Sequence, residues 1–297
     1  MTQVSATHVR QLRDQTGAGM MDCKKALVAC QGDVTAAMKQ LRERGLAKAT
    51  QKSGRLAAEG VVAAWTNSHT AVLLEVNCET DFVARNEQLQ SFTQKLCQWL
   101  GAHSAVKSAS LQSAQQLLQE PFDDSNTVEQ AIHSLVSRIG ENVVFRRFAK
   151  LSGGNAYGSY VHHGGDVGVI VQLTLDDTNK ATDPCVHQLM KDLCMHIAAC
   201  SPHSVSRDDL SQEVIQTEQD ILTKQLQNEA DKPRDLIDRI VQGKMKKFFA
   251  QACLLQQQFV KNSDMRVQDV VDACAKQLGC AVVVDRFVRL KMGEEMT

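Results

Sequence analysis

Ala71-Val72-Leu73-Leu74-Glu75-Val76-Asn77-Cys78-Glu79-Thr80-Asp81-Phe82-Val83 changes character half-way along. Its first six residues are β-rich, and the chain beyond carries Leu89, Phe92, Leu96 and Trp99 at helical spacing. The stretch reads as a strand running into a helix, with Thr80 to Val83 at the corner. Such corners lie at the surface, where a rigid scaffold commonly displays functional residues. Two readings of the corner stand side by side. In one, Thr80 or Asp81 caps the helix and Phe82 tucks into the core as a staple. In the other, Asp81 and Phe82 face a partner.

The strand belongs to a hairpin, Gly60-Val61-Val62 to Leu73-Leu74-Glu75-Val76, turning around Asn67-Ser68-His69. About a hundred residues later the pattern returns, from Gly158-Ser159-Tyr160 to Val169-Ile170-Val171 around Gly164-Gly165-Asp166. Each hairpin precedes an apolar-periodic helix, Glu87 to Leu100 and Val186 to Cys200. Two such units imply a duplicated α+β core with antiparallel sheets, since a solenoid needs at least three repeats. Between them, Thr127-x-x-Gln130 starts a helix that ends near Gly140, and Asn142 to Leu151 alternates like a strand.

Three short helices precede this core. Ser5 caps one bearing Val9 and Leu12, ended by Gly17 and Gly19; a second runs from about Met20 to Cys30 and stops at Gly32. Asp33 caps a third with Val34, Ala37 and Leu41, ended by Gly45. The polar segment Lys48 to Arg55 reads as a linker. Past Pro202, Leu210, Val214, Thr217 and Ile221 form one helical seam, and Leu236, Ile237, Ile240 and Val241 another, with Asp231-Lys232-Pro233 between them. This is an antiparallel helical hairpin, too short for a long coiled coil. A helix over Val267 to Leu278 and a strand over Ala281 to Leu290 close the chain. The resulting division is 1–55, 56–140 and 141–290, with the helical hairpin inserted at about 205–248 and a C-terminal module at about 265–297.

The 297 residues are 43% hydrophobic, with no apolar run long enough to span a bilayer and no basic-then-apolar secretion signal at Met1-Thr2-Gln3-Val4-Ser5. Ten cysteines are scattered without a Cys-x-x-Cys pair, as expected of reduced thiols in a cytoplasmic protein. Net charge is −1, yet residues 1–58 hold ten Lys/Arg against four Asp/Glu. That basic head, with Lys24, Lys25, Arg42, Arg44, Lys48 and Lys52, admits an RNA-binding adaptor as an alternative function. Two Trp and two Tyr make a poor stacking platform for bases.

No phosphate loop, no His-Glu-x-x-His and no Gly-x-Ser-x-Gly elbow occurs. His162-His163-Gly164-Gly165 reads as a hairpin turn rather than an oxyanion segment. His187, His196, Cys194 and Cys200 read as one face of a buried helix, at spacings that match no metal site. The chain is expected to be no enzyme and to hold no cofactor.

Leu12-Arg13-Asp14-Gln15-Thr16-Gly17-Ala18-Gly19-Met20-Met21-Asp22-Cys23-Lys24-Lys25-Ala26-Leu27 resembles the N-terminal signature of the bacterial elongation factor Ts family. Glu75-Val76-Asn77-Cys78-Glu79-Thr80-Asp81-Phe82-Val83-Ala84 resembles its second signature. Ile139-Gly140-Glu141-Asn142 with Arg146-Arg147, and Gly243-Lys244-Met245-Lys246-Lys247-Phe248, match further positions in the same order.

The resemblance implies a guanine-nucleotide exchange factor for elongation factor Tu, binding it GDP-bound and nucleotide-free, in the cytoplasm, without membrane or direct nucleic-acid contact. It also implies a ubiquitin-associated-like (UBA-like) N-terminal domain, a core of two related subdomains, an inserted helical hairpin and a C-terminal module. By position, Arg13, Met20 and Met21 would grip the partner's GTPase domain. Thr80, Asp81, Phe82 and Val83 would disturb its Mg²⁺ site, with Phe82 as the wedge. Tyr160 and His162, on the second hairpin, would touch another of its domains. Three departures from the family pattern stand out: Gln258 where Pro is common, Asp166 where a basic residue is common, and a loosely matching tail after Leu290.

Overall fold

The computed structural model describes residues 4–104, 106, 109–228 and 234–295. Three helices open the chain, α1 (Ala6–Thr16), α2 (Met20–Ala29) and α3 (Val34–Lys52). Ser5 and Asp33 accept from the backbone N–H groups of His8 and Ala36, capping α1 and α3. Val9, Leu12, Cys23, Ala26, Leu27 and Ala37 bury one another between the three. Gly45, however, does not end α3; the helix continues to Lys52, so most of the expected linker is helical. The reason is tertiary. Gly45 faces the later helix α6 (Val128–Ile139), where even a β-carbon would lie 3.5 Å from Ser137. Packing at that contact overrides the ~1 kcal/mol propensity cost of an interior glycine.

The core is a four-layer sandwich of helices, sheet, sheet and helices. β1 (Glu59–Thr66) and β2 (Thr70–Cys78) form the first hairpin; the one-turn α4 (Asp81–Ala84) and α5 (Glu87–Ala102) follow. With β3 (Ala109–Ser113) and β4 (Val143–Ser152) they make an antiparallel sheet of order β1-β2-β4-β3. The second hairpin, β5 (Ala156–Val161) and β6 (Val167–Leu175), pairs antiparallel with the last strand in the order β5-β6-β9. α5 and α6 cover the outer face of the first sheet. α7 (Pro184–Cys200) and α10 (Val267–Leu278) cover that of the second, and β9 (Val282–Lys291) completes it. Val72, Leu74 and Val76 point to the outer helices, whereas Ala71 and Leu73 meet Tyr157, Ile170 and Leu290 between the sheets. β2 is therefore buried on both faces, which explains its near-continuous apolar run. Gly168 lets the sheets close, since a β-carbon there would come within 2.6 Å of Val62 and 2.7 Å of Leu73.

The repeat extends further than the hairpin-plus-helix pattern. In each half a twelve-residue helix, α6 or α10, ends at a left-handed glycine (Gly140, Gly279) and leads into the third strand, β4 or β9. Each central strand carries a bulge after its sixth residue, at Glu75 and at Gln172. A buried polar group stands at both. Glu75 accepts from Arg147 at 2.6 Å, Arg146 at 2.9 Å and the Gly293 N–H at 3.1 Å; Gln172 accepts from Arg286 at 3.2 Å. Burial alone would push Glu75 up, but the Gly293 N–H and the two guanidiniums hold its carboxyl below the usual carboxylate range. Arg147 also donates to the Lys291 carbonyl at 2.8 Å, so this cluster ties the C-terminal tail to the first sheet. By pairing, β4 lies with the first sheet although it falls beyond residue 140, and β9 is integral to the second.

α8 (Gln212–Asn228) and α9 (Arg234–Ala252) form the helical hairpin; Asp231-Lys232-Pro233 lie outside the described residues. Ile215 and Leu222 pack with Met245, Phe249 and Ala252, so the start of α8 meets the end of α9, antiparallel. The expected α8 seam is displaced by one residue: Ile215 and Leu222 are buried, whereas Val214 and Ile221 face outward. Ile237 is buried as expected. Main-chain bonds from His203, Leu254 and Leu255 fix the hairpin's base, and the short pair β7 (Gln258–Phe259) and β8 (Asn262–Arg266) leads to α10. Among the described residues no helix is long and apolar enough to cross a membrane.

Candidate functional site

At Cys78 the chain leaves the sheet. Thr80 takes extended backbone (φ −130°, ψ 155°) and its Oγ1 accepts from the Val83 N–H at 3.4 Å, capping the single turn α4. Asn86 then caps α5, its side chain accepting from the Gln88 N–H at 2.8 Å. Between the two caps the turn divides its side chains. Val83 packs inward on the first core, while Phe82 is 83% exposed. The staple reading of Phe82 is thereby overturned, whereas the capping role of Thr80 holds. Asp81 is exposed beside Phe82 and lies 3.7 Å from Arg85, an exposed pair worth little energetically.

What holds the turn is a reciprocal clamp reaching across sixty residues. Glu141 accepts from the Thr80 N–H at 3.0 Å and the Thr80 hydroxyl at 2.8 Å. In return Glu79 accepts from the Asn142 N–H at 2.6 Å. That N–H, aided by Arg55 at 3.3 Å, holds the Glu79 carboxyl below its usual range. The Asn142 amide donates to the Arg55 carbonyl at 2.8 Å, and Lys52 donates to the Gly140 carbonyl, so the end of α3 is locked into the same cluster. Behind it, burial and the nearby Glu141 carboxylate push the Cys78 thiol up to about 12, leaving it protonated and unreactive. Thr80 and Val83 fix the turn from within and leave the side chains of Asp81 and Phe82 at its surface.

The second hairpin comes to the same face. The Gly165 carbonyl accepts from the Val62 N–H at 2.7 Å, seating the hairpin tip on β1. Gly165 has φ 77°, and a β-carbon would lie 2.9 Å from Val61, so both backbone and space demand glycine. A groove of about 840 Å³ runs between Ala84, Arg85 and Gln90 on one side and Val161, His163 and Gly164 on the other. Tyr160 is half-buried against the second core, and its hydroxyl lies 3.0 Å from Nδ1 of the exposed His162. Asp166 makes no ion pair among the described residues; its carbonyl accepts from the Met292 N–H at 2.7 Å.

Arg13, Met20 and Met21 form a separate patch. Met20 and Met21 are 42% and 61% exposed at the start of α2, while Cys23, Ala26 and Leu27 of the same helix are buried. Arg13 is exposed in the last turn of α1. No bond joins this patch to the corner among the described residues. The three-helix unit instead docks through α3 on α6, with Arg42 donating to Gln130 at 2.5 Å and to the Ser125 carbonyl at 3.2 Å. Lys48 pairs with Asp22 at 3.1 Å. Arg42, Lys48 and Lys52 thus have internal partners, which weakens the phosphate-tracking reading of the basic head.

His196 is fully buried. Its Nε2 lies 2.7 Å from Gln257 Oε1, and its Nδ1 accepts from the Val260 N–H at 3.1 Å. Among the described residues no three His, Cys, Asp or Glu side chains are placed to hold a metal ion. The sequence reading missed the Glu79–Asn142 and Thr80–Glu141 clamp. A signal for the other buried cluster was present, since Glu75 stands inside an otherwise apolar strand.

The family model for Elongation factor TS matches residues 79–294. Over 294 residues the chain is 41% identical to a Clostridium botulinum (strain Alaska E43 / Type E3) protein named Elongation factor Ts, covering 98% of this chain and 93% of that one. It is 40% identical over 296 residues to proteins of the same name from Trichlorobacter lovleyi and Clostridioides difficile. These alignments cover 98% and 99% of this chain and 93% and 94% of theirs.

Proposed function

The chain belongs to the elongation factor Ts family of translation elongation factors, and on that premise we propose that it is the guanine-nucleotide exchange factor of elongation factor Tu, acting in the cytoplasm. The observation that carries this reading is Phe82, a large apolar side chain held out in water on a doubly capped, clamped turn beside Asp81. Mg²⁺ neutralises nucleotide phosphates, so a wedge that shifts the partner's Mg²⁺ ligands loosens GDP without breaking a covalent bond. Thr80 and Val83 mount the wedge and Asp81 adds charge beside it. Factor and nucleotide then weaken each other's hold on the partner, and that coupling is reciprocal.

Magnitudes set the division of labour. Burying one Phe yields roughly 1.5–3 kcal/mol, about one to two decades of affinity. A wide grip is therefore needed to hold the distorted partner. Met20 and Met21 suit that grip, being adaptable and exposed, and Arg13, Tyr160 and His162 extend it. We further take residues 1–55 as a UBA-like domain, the two sheets with their covering helices as the two core subdomains, divided after β4 rather than at residue 140, and the helical hairpin as a short coiled coil. The test is GDP release from elongation factor Tu with sub-stoichiometric amounts of the chain. Acceleration with turnover is expected; a rate equal to the spontaneous one refutes the proposal. Tight RNA binding at moderate salt in its place would favour the adaptor.

A further inference from the structure

Cys185 and Cys274 are 89 positions apart in sequence, yet their sulfurs lie 2.7 Å from each other. Cys185 is the second residue of α7, its N–H bound to the Asp183 carboxylate at 2.8 Å, and it is partly accessible. Cys274 is on the buried face of α10. The two helices pack side by side on the second sheet, so both sulfurs are carried by rigid, core-anchored elements. A disulfide of ~2.05 Å needs an approach of roughly 0.7 Å more, within reach of side-chain rotation. We infer that Cys185 and Cys274 form a reversible oxidation site, a dithiol that closes to an intramolecular disulfide under peroxide.

The chemistry balances with hydrogen peroxide as oxidant. The accessible Cys185 sulfur attacks a peroxide oxygen, giving a sulfenic acid and one water. The Cys274 sulfur then attacks that sulfur, and its proton leaves with the hydroxyl as a second water. Two thiols and one peroxide become one disulfide and two waters. Burial, with the Cys185 thiol beside it, pushes the Cys274 thiol up to about 12, so Cys274 waits as the resolving partner rather than reacting first. The bond would join α7 to α10 and close a loop that contains the whole helical hairpin, restricting the unfolded chain.

Full-length chain, freed of reductant and treated with a few equivalents of hydrogen peroxide, provides the test. Loss of two hydrogens by intact mass is expected, with the Cys185 and Cys274 peptides joined in the digest. The folding equilibrium should shift toward the native state by roughly 30- to 1,000-fold, and dithiothreitol should reverse both changes. Cys185→Ser should abolish the bridge and the shift, whereas Cys200→Ser, at the far exposed end of α7, should keep them. Oxidation of Cys185 to sulfinic acid without a bridge, or a bridge to Cys280 or Cys200, would overturn the inference.

Discussion

Phe82 and Asn179 occupy the same place in the two halves of the core. Each stands two residues after a capping side chain, Thr80 or Asp177, at the exit of a central strand. In both halves a second cap follows six residues after the first, Asn86 for α5 and Asp183 for α7. The scaffold thus uses two caps and a short turn at each corner, and it closes the second corner with an exposed Asn. Folding does not ask for a phenylalanine there. The duplicated corner is an internal control within one chain: both halves share the two caps and the short turn, whereas the exposed Phe82 and the Glu141 clamp are features of the first.

The mount has its own signature. Glu141→Ala removes the acceptor for both the Thr80 N–H and the Thr80 hydroxyl. A loss of about 1–3 kcal/mol in stability is expected by denaturant titration. Exchange activity should fall as well, although Phe82 is untouched, because the wedge loses its fixed direction.

Glu75→Ala should be among the most damaging single changes. It strands Arg147, which is 1% exposed, without its carboxylate and frees the tail at Gly293. Breaking a buried pair from one side costs about 3–5 kcal/mol, and the denaturation midpoint should report it.

Three glycines inside helices should respond in opposite ways. A β-carbon added at Gly243 in α9 would meet nothing within 4 Å, and one added at Gly45 would make an ordinary contact. Gly243→Ala and Gly45→Ala should therefore each stabilise by about 0.5–1 kcal/mol. At Gly101 in α5 a β-carbon would lie 2.2 Å from Trp65 Cζ3, and Gly101→Ala should cost about 1–3 kcal/mol. Thermal melts of the three variants decide the matter.

Much of this fold is legible from local chemistry. Ser5, Asp33 and the Thr127–Gln130 box mark helix starts, and the alternating hairpins mark strands, because each signal lies within a few residues of its effect. The failures share a cause. Gly45 reads as a stop because its partner Ser137 is 92 positions away. The α8 seam is off by one because Val214 and Ile215, like Ile221 and Leu222, offer adjacent apolar choices that only α9 resolves. The exposed corner at Phe82 stands out as a sequence motif, but its clamp joins residues more than sixty apart and leaves no local trace.

His196 should give the stability curve an acid limb. Burial, opposed in part by the Gln257 bond, holds its imidazole below the usual range, and its Nδ1 must stay unprotonated to accept from Val260. The unfolded chain therefore takes up a proton near pH 6.5 that the folded chain refuses. This contribution is fully present above that pH and is lost as the pH falls below it, at up to ~1.4 kcal/mol per unit. Wild type and His196→Gln, unfolded in denaturant at pH 7.5 and 5.5, should differ in this slope, the variant being flatter.

The decisive measurement is GDP release from elongation factor Tu at saturating factor, comparing wild type with the Asp81→Ala/Phe82→Ala protein. Both side chains are exposed, so the variant should fold and bind with stability within about 0.5 kcal/mol of wild type. Release should slow by roughly ten- to a hundredfold, the worth of one buried Phe. An unchanged release rate, with binding intact, would contradict the assignment of this corner as the exchange wedge.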